Sequence, residues 1–367
     1  MRRWSIALFR LFGIQLEVHV TFLLLLVYVG VDGWRDGGVA GLASAVVLVV
    51  TVFVCVVLHE LGHSLVAQRF GIRVPRILLL PIGGMAQFDS IPRQPYREFL
   101  IAIAGPAVNF ALVVLLLTVI GWPDWDNQEI AYPVSLGTFA GLLLLMNLVM
   151  GVFNLLPAFP MDGGRILRAF LAMRFNYVTA TRWAARIGQA IALVACAAAL
   201  ASSAWFHANL WIAALLFAFI FYGAEMELRF VSRSDLYSGL RVGDVTRRDF
   251  RALPDGASIA DAIAAARLTQ PQDILLVANG VPVGILTRDA LAAAARAGRH
   301  DDPAASHAQR RFAALQAEWP LVPFATDLIR TGQTLFPVYS YGVFVGVLDA
   351  RHLDETVRLL KRSKHEN

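Results

Sequence analysis

From residue 41 to residue 58 the chain carries no charge and consists almost wholly of Val, Leu, Ala and Phe, with a few small residues between them. Extended to residue 69, this run is one of six apolar stretches, the others falling at about 13–31, 99–121, 134–159, 187–206 and 208–224. Each approaches or exceeds the roughly 17–25 residues an α-helix needs to cross a bilayer, so the pattern predicts six transmembrane helices. Beyond about residue 224 the pattern changes. Apolar positions recur at helical spacing over 257–268, and two short apolar runs, 274–278 and 281–286, flank Asn279-Gly280. That dipeptide between two such runs is a strong β-hairpin signal. A helix is expected from near Asp289, and a fainter copy of the unit follows over 312–317, 335–339, 341–348 and 350–360. The expected fold is a polytopic α-helical membrane protein of about six transmembrane helices with a C-terminal soluble α/β domain pair. Its parts are a membrane domain at 1–224, a linker at 225–240 and the pair at 241–362, with copies at 241–298 and 305–362.

Charge supports this division and orients it. Of 367 residues, 57% are hydrophobic and only 16% charged, whereas about a quarter are charged in soluble domains. Arg2, Arg3 and Arg10 precede the first run. Arg69, Arg73, Arg76, Arg93 and Arg97 lie between the second and third, and Arg165, Arg168, Arg174, Arg182 and Arg186 between the fourth and fifth. The opposite loops hold Arg35 and the acids Asp124, Asp126 and Glu129. By the positive-inside rule both termini and the C-terminal domain are expected in the cytoplasm, with the chain in the cell (inner) membrane. Arginines placed this way read as topology signals and not as a nucleic-acid face. Cys55 and Cys196 both sit in apolar runs, which offers neither a disulfide framework nor a cysteine-rich metal site. Glu17 and His19 interrupt the first run, and no small-residue cleavage site follows, so it does not read as a signal peptide.

The chemistry begins at the end of the second run, with His59-Glu60-Leu61-Gly62-His63. On a helix this spacing puts two imidazoles one turn apart on one face, where they can chelate zinc, with the glutamate placed to handle a water. Ionisable groups at membrane depth are costly and mark function. A third ligand is then expected from the same depth. Asp162 follows the fourth run among Pro157, Pro160, Gly163 and Gly164, and backbone broken in this way is tolerated in a membrane where it lines a cavity. Alone, Asp162 reads equally as a turn residue ending a helix. The apolar segment 77–88 is too short to span. It could form a strand that pairs with an extended substrate, or an interfacial loop.

Together these residues resemble the site-2 protease family of intramembrane zinc metalloproteases. The chain carries the HExxH at His59 to His63, an NxxPxxxxDG at Asn154, Pro157, Asp162 and Gly163, a GPxxN at Gly105, Pro106 and Asn109, and paired glycines at Gly83 and Gly84. The resemblance covers residues 4–168 or so. It implies one zinc ion per chain held by His59, His63 and Asp162, with Glu60 as catalytic base and Asn154 stabilising the tetrahedral intermediate. Gly83, Gly84 and Asn109 stand as candidate substrate-binding positions, and for Asn109 a helix–helix hydrogen bond is the stronger reading. The implied partner is a single-span membrane protein in a lipid bilayer, such as a tethered transcription regulator or an anti-sigma factor. Glu17, His19, Arg165 and Glu225 receive no role.

The αββα repeat resembles a pair of CBS domains, as found in one subgroup of that family. In CBS domains a Ser or Thr precedes an Asp by three residues at the nucleotide site; here Thr287 precedes Asp289 by two, and the second copy has Asp349 in place of the hydroxyl. Adenine-nucleotide binding is therefore expected to be weak or absent, and the pair to act in gating or homodimerisation. Two other readings remain, a CBS-regulated channel or transporter and a catalytically inactive scaffold. The apolar runs form no inverted repeat, which argues against the first, and the intact Glu60 argues against the second.

Overall fold

The computed structural model describes residues 4–81, 83–88, 93–123, 135–205, 210–267, 273–322 and 332–365. The chain divides into two compact units, Met1–Val231 and Ser232–Asn367.

The first unit opens on a β-hairpin. Strand β1 (Ser5–Leu11) pairs antiparallel with β2 (Ile14–His19) across Phe12 and Gly13, both in the left-handed region (φ 52° and 80°). This corrects the expected span at 13–31. Ile14, Leu16 and Val18 are buried and alternate with Gln15, Glu17 and His19, a period of two that belongs to a strand with one face in the core. The helix starts only at Val20, where His19 is the N-cap and its side chain accepts the Thr21 N–H. Glu17 has a structural partner as well, in Arg76 at 3.1 Å.

Helix α1 (Val20–Arg69) has 50 residues, but its backbone is non-helical at Gly37 (φ −143°, ψ 17°) and Gly38 (φ 58°, ψ −142°). A Cβ added to Gly33 would stand 2.6 Å from the Gly41 carbonyl oxygen and 2.8 Å from Ala45 Cβ, and one on Gly30 would stand 2.9 Å from Leu42. Eight residues of straight helix extend about 12 Å, so these contacts require the chain to fold back on itself. The element is thus two arms, 20–36 and 39–69, turned on two glycines and packed through small residues, as membrane helices pack.

Helices α2 (Pro95–Ile120), α3 (Leu136–Asn154), α5 (Tyr177–Trp205) and α6 (Trp211–Leu236) are the other long apolar helices, with the short amphipathic α4 (Asp162–Ala172) after α3. Among the described residues five helices, α1 counted once, are long and apolar enough to cross a membrane. The unit is that of a multi-pass membrane protein. Two boundaries differ from the sequence expectation. Helix α5 starts at Tyr177, so Arg182 and Arg186 lie within a helix and not in a loop. Residues 225–236, read as linker, are the last turns of α6, where Glu225 and Arg229 pair at 2.8 Å. The acidic residues at 124, 126 and 129 lie outside the described residues.

Strands β3 (Arg76–Leu80) and β4 (Gly83–Gln87) form a second hairpin, with β3 parallel to β2, giving the sheet order β1-β2-β3-β4. Its inward residues, including Ile14, Leu16, Val18, Ile77 and Leu79, pack with Phe22, Phe53 and Leu61 of α1 in one apolar cluster. Among the described residues β4 is an edge of this sheet.

The C-terminal unit is built twice on one plan. Strand β5 (Ala252–Pro254) is parallel to β6 (Ile274–Ala278), which is antiparallel to β7 (Val281–Leu286). Strand β8 (Leu315–Gln316) is likewise parallel to β9 (Leu335–Ser340), which is antiparallel to β10 (Val343–Asp349). Each hairpin turns on two residues of positive φ, Asn279-Gly280 and Tyr341-Gly342. Helices α7 (Ile259–Arg267), α8 (Arg288–Arg296) and α9 (Ala304–His307) go with the first copy and α10 (Leu353–His365) with the second. The segment 312–317, expected as a helix, contains β8 instead. Thr287 caps α8 by accepting the Ala290 N–H, and Asp349 accepts Arg351 N–H at 2.9 Å and contacts His352 Nδ1 at 2.9 Å. Both side chains thus serve the local backbone and its neighbours. Asp354 of α10 accepts from Tyr237 and Arg233, and burial, with Asp354 beside it, pushes the Tyr237 hydroxyl up to about 12.

Candidate metal centre

The i, i+4 spacing in the long arm of α1 brings His59 and His63 onto one face. The chain then breaks after α3, runs through Pro157 and Pro160 and re-enters a helix at Asp162, the first residue of α4. Close backbone packing fixes that re-entry. A Cβ on Gly163 would lie 2.1 Å from the Leu156 carbonyl oxygen, and one on Gly164 would lie 2.6 Å from the Phe159 nitrogen. No other residue type fits at either position.

The three side chains converge. His59 Nε2 and His63 Nε2 are 3.1 Å apart, and Asp162 Oδ2 lies 3.2 Å from the first and 3.1 Å from the second. Tetrahedral ligands held at about 2.0–2.1 Å from one ion are separated by about 3.3 Å, so the triangle has the size that zinc requires. The far side of each imidazole fixes what the near side presents. His59 Nδ1 is 2.5 Å from Asn109 Oδ1, and His63 Nδ1 is 2.6 Å from the Ile101 carbonyl oxygen. Both partners are acceptors, so each Nδ1 carries the proton and each Nε2 turns a bare lone pair towards Asp162. Two lone pairs and a carboxylate, all buried, then face one point. Such a donor set is repulsive without a cation and fits one well.

Helix α2 forms the wall behind the donors. A Cβ on Gly105 would stand 2.2 Å from His63 Nε2 and 2.7 Å from His59 Nε2, so this glycine gives the ligands room. Asn109, read from sequence among the substrate-binding candidates, is fully buried and has both ends of its carboxamide engaged. Its oxygen takes His59 and its nitrogen donates to Asn147 Oδ1 at 3.0 Å. Both contacts are to residues of the neighbouring helices, and one of them is a candidate metal donor. Asn147 donates in turn to Cys55 Sγ and to the Leu143 carbonyl.

Strand β4 passes over Glu60. The Ala86 N–H donates to Glu60 Oε2 at 3.2 Å, and a Cβ on Gly84 would lie 2.6 Å from Glu60 Cγ. Gly83 takes φ 137°, a value that suits glycine alone. The paired glycines therefore let a sheet edge approach the glutamate. Asn154 ends α3 with one N–H of its carboxamide donating to the Met150 carbonyl at 3.0 Å, and the group carries a second N–H besides. Sequence reasoning missed the Ile101 carbonyl and Asn147 as supports. The one signal available for Asn147 was a lone amide in the apolar run of α3.

Comparisons with known proteins agree with this geometry. The family profile described as peptidase family M50 matches residues 47–126 and 128–195, which include all three donors. A zinc metalloprotease of Methanocaldococcus jannaschii is 41% identical over 243 residues, 66% of this chain and 66% of its own length. Rip3 of Mycobacterium tuberculosis is 29% identical over 316 residues, covering 80% of this chain and 78% of its own. The solved structure of a site-2 protease from Methanocaldococcus jannaschii is 42% identical, covers 62% of this chain and 96% of that one, and has a TM-score of 0.44. The CBS protein CBSX2, solved in complex with AMP, is 18% identical over 34% of this chain and 99% of its own, with a TM-score of 0.30. The chain spans about two thirds of the length of the first of these relatives and half that of a second, from Synechocystis. With a 41%-identical relative matched over 243 residues and the family profile laid across the donors, this chain belongs to peptidase family M50, the site-2 proteases.

Proposed function

We propose that the chain is an intramembrane zinc endopeptidase that hydrolyses a peptide bond in or near the transmembrane segment of a single-span membrane protein. The observation that carries this reading is the convergence of two imidazole lone pairs and a carboxylate, 3.1–3.2 Å apart, at the end of a membrane helix. His59, His63 and Asp162 would hold the zinc, leaving a fourth position open. Zinc, when bound there, polarises the scissile carbonyl and lowers the pKa of a water towards about 7. Glu60 takes the proton of the attacking water and later delivers it to the leaving amine. Asn154 donates the second N–H of its carboxamide to the developing oxyanion. The edge of β4 supports a substrate role for Gly83 and Gly84. A helical substrate must unwind before attack, and its extended form can add to that edge through main-chain hydrogen bonds. Substrates of the anti-sigma-factor or tethered-regulator kind, and regulation or homodimerisation through the C-terminal pair, belong to the same proposal.

The test is metal content. The purified full chain is expected to hold one zinc, and Asp162→Ala to lose most of it. Full occupancy in that variant removes Asp162 from the ligand set. Orientation is checked separately. A cysteine replacing Gln94 is expected to label from the cytoplasm and one replacing Asp126 from outside, and reversed labelling inverts the topology.

A further inference from the structure

Arg168 heads the fully buried side chains by size, at 1% exposure, and has no part in the chemistry above. Its Nε and Nη2 donate to Glu98 Oε1 of α2 at 2.8 and 2.5 Å, and its Nη1 to Glu227 Oε1 of α6 at 2.5 Å. The guanidinium lies over the rings of Phe159 and Tyr177, 4.9 and 5.0 Å from their centroids. Glu98 is 3% exposed, and its Oε2 has no hydrogen-bond partner among the described residues. Buried ion pairs of this kind are seldom kept for stability, since apolar replacements often do as well or better. The place of this one in the fold supplies a different reason.

Glu98, Ile101, Gly105 and Asn109 follow one another along α2 at intervals of three, four and four, so they share one face. Ile101 orients His63, Asn109 orients His59, Gly105 clears space for the donors and Glu98 grips Arg168. On α4, Arg168 comes six residues after Asp162, about 9 Å along the axis. Helix α4 is therefore tied at two points, to the α1 histidines through Asp162 at its N-terminus and to α2 through the guanidinium further on. With Gly163 and Gly164 fixing the N-terminus sideways, the second tie sets the tilt and rotation with which the carboxylate is presented. We infer that Arg168 is a positioning residue of the metal centre, which through Glu98, and secondarily Glu227, holds the Asp162 carboxylate in register with the two histidines. Glu98 is the dominant partner, because its side chain is 4% exposed whereas that of Glu227 is 24% exposed and reached by solvent.

This inference rests on the zinc-site reading, and the experiment separates the two. Zinc affinity is measured on the full chain in detergent by chelator competition, with the visible spectrum of the cobalt-substituted protein and the thermal midpoint with and without zinc. Arg168→Gln and Glu98→Gln are expected to weaken zinc ~10–100-fold, as loss of groups supporting metal ligands does, to alter the cobalt spectrum and to shrink the zinc-induced rise in midpoint. Arg168→Lys should recover part of the affinity, and Glu227→Gln should cost less than about threefold. Where a single variant fails to fold, the Glu98→Gln, Arg168→Met double variant removes both charges at similar volume and carries the same test. Folded variants that bind zinc within about twofold of wild type, with an unchanged cobalt spectrum, overturn the inference and leave an ordinary structural ion pair. Absence of zinc from the wild type refutes the metal-site reading itself, and this inference with it.

Discussion

Gly105→Ala is expected to empty the metal centre while leaving the protein folded. Alanine is the better helix former by roughly 0.8–1.0 kcal/mol, so on propensity alone the change should strengthen α2. The new methyl, however, would stand 2.2 Å from His63 Nε2 and 2.7 Å from His59 Nε2, well inside van der Waals contact. One or both imidazoles must then turn away. The turned ring also breaks its Nδ1 hydrogen bond to Ile101 or Asn109, which costs about 1–3 kcal/mol for a buried partner left unmade. Zinc content and cleavage are therefore expected to fall to background while helical content is kept. Metal analysis beside circular dichroism decides it, and a variant that holds a full complement of zinc would mean that α2 does not back the donors.

The second large effect is chemical. Glu60→Gln is expected to keep zinc and fold and to lose cleavage by ~10²–10⁴-fold, the usual loss when a general base is removed. The substitution is close to isosteric, and the glutamine oxygen can still accept the Ala86 N–H that Glu60 accepts at 3.2 Å, so β4 stays in place. What disappears is the proton acceptor. Cleavage of a model single-span substrate by the reconstituted protein measures the effect, and activity within about tenfold of wild type excludes Glu60 as the base.

The donors were legible in the sequence because chelation imposes local order. Two histidines one turn apart, and an acid set among prolines and glycines, are each patterns a few residues long, although 99 residues separate His63 from Asp162. The groups that hold the donors carry no such signature. Arg168 reaches Glu98 across 70 residues, and His63 reaches a backbone carbonyl at Ile101, which no residue type betrays. Read alone, Arg168 was one more basic residue marking a loop. Strand β2 failed differently. The alternation of Ile14, Leu16 and Val18 with polar neighbours was in view, but it lay against the apolar start of α1 and merged with it. The later spans were found to within a few turns at worst, since length and lack of charge suffice for them. Their ends shifted because Arg182 and Arg186, and the charged residues of 225–236, are compatible with helix once the chain leaves the hydrocarbon.

The two-glycine turn at Gly37 and Gly38 bears on how the protein is made. Two arms joined by so short a connection leave no slack for one to settle in the bilayer while the other waits in water. They must be integrated as a single hairpin, already paired through Gly30, Gly33, Gly41 and Ala45. That hairpin carries Asp32, Arg35 and Asp36 near its tip, groups that each cost about 2.5–3.5 kcal/mol if stranded at mid-membrane. The first arm alone, at 17 residues, is a marginal span. The second arm, uncharged from residue 39 to residue 58, therefore does the work of carrying that polar tip through the hydrocarbon, and the stretch of chain that ends in the two histidines is also the one that inserts the hairpin.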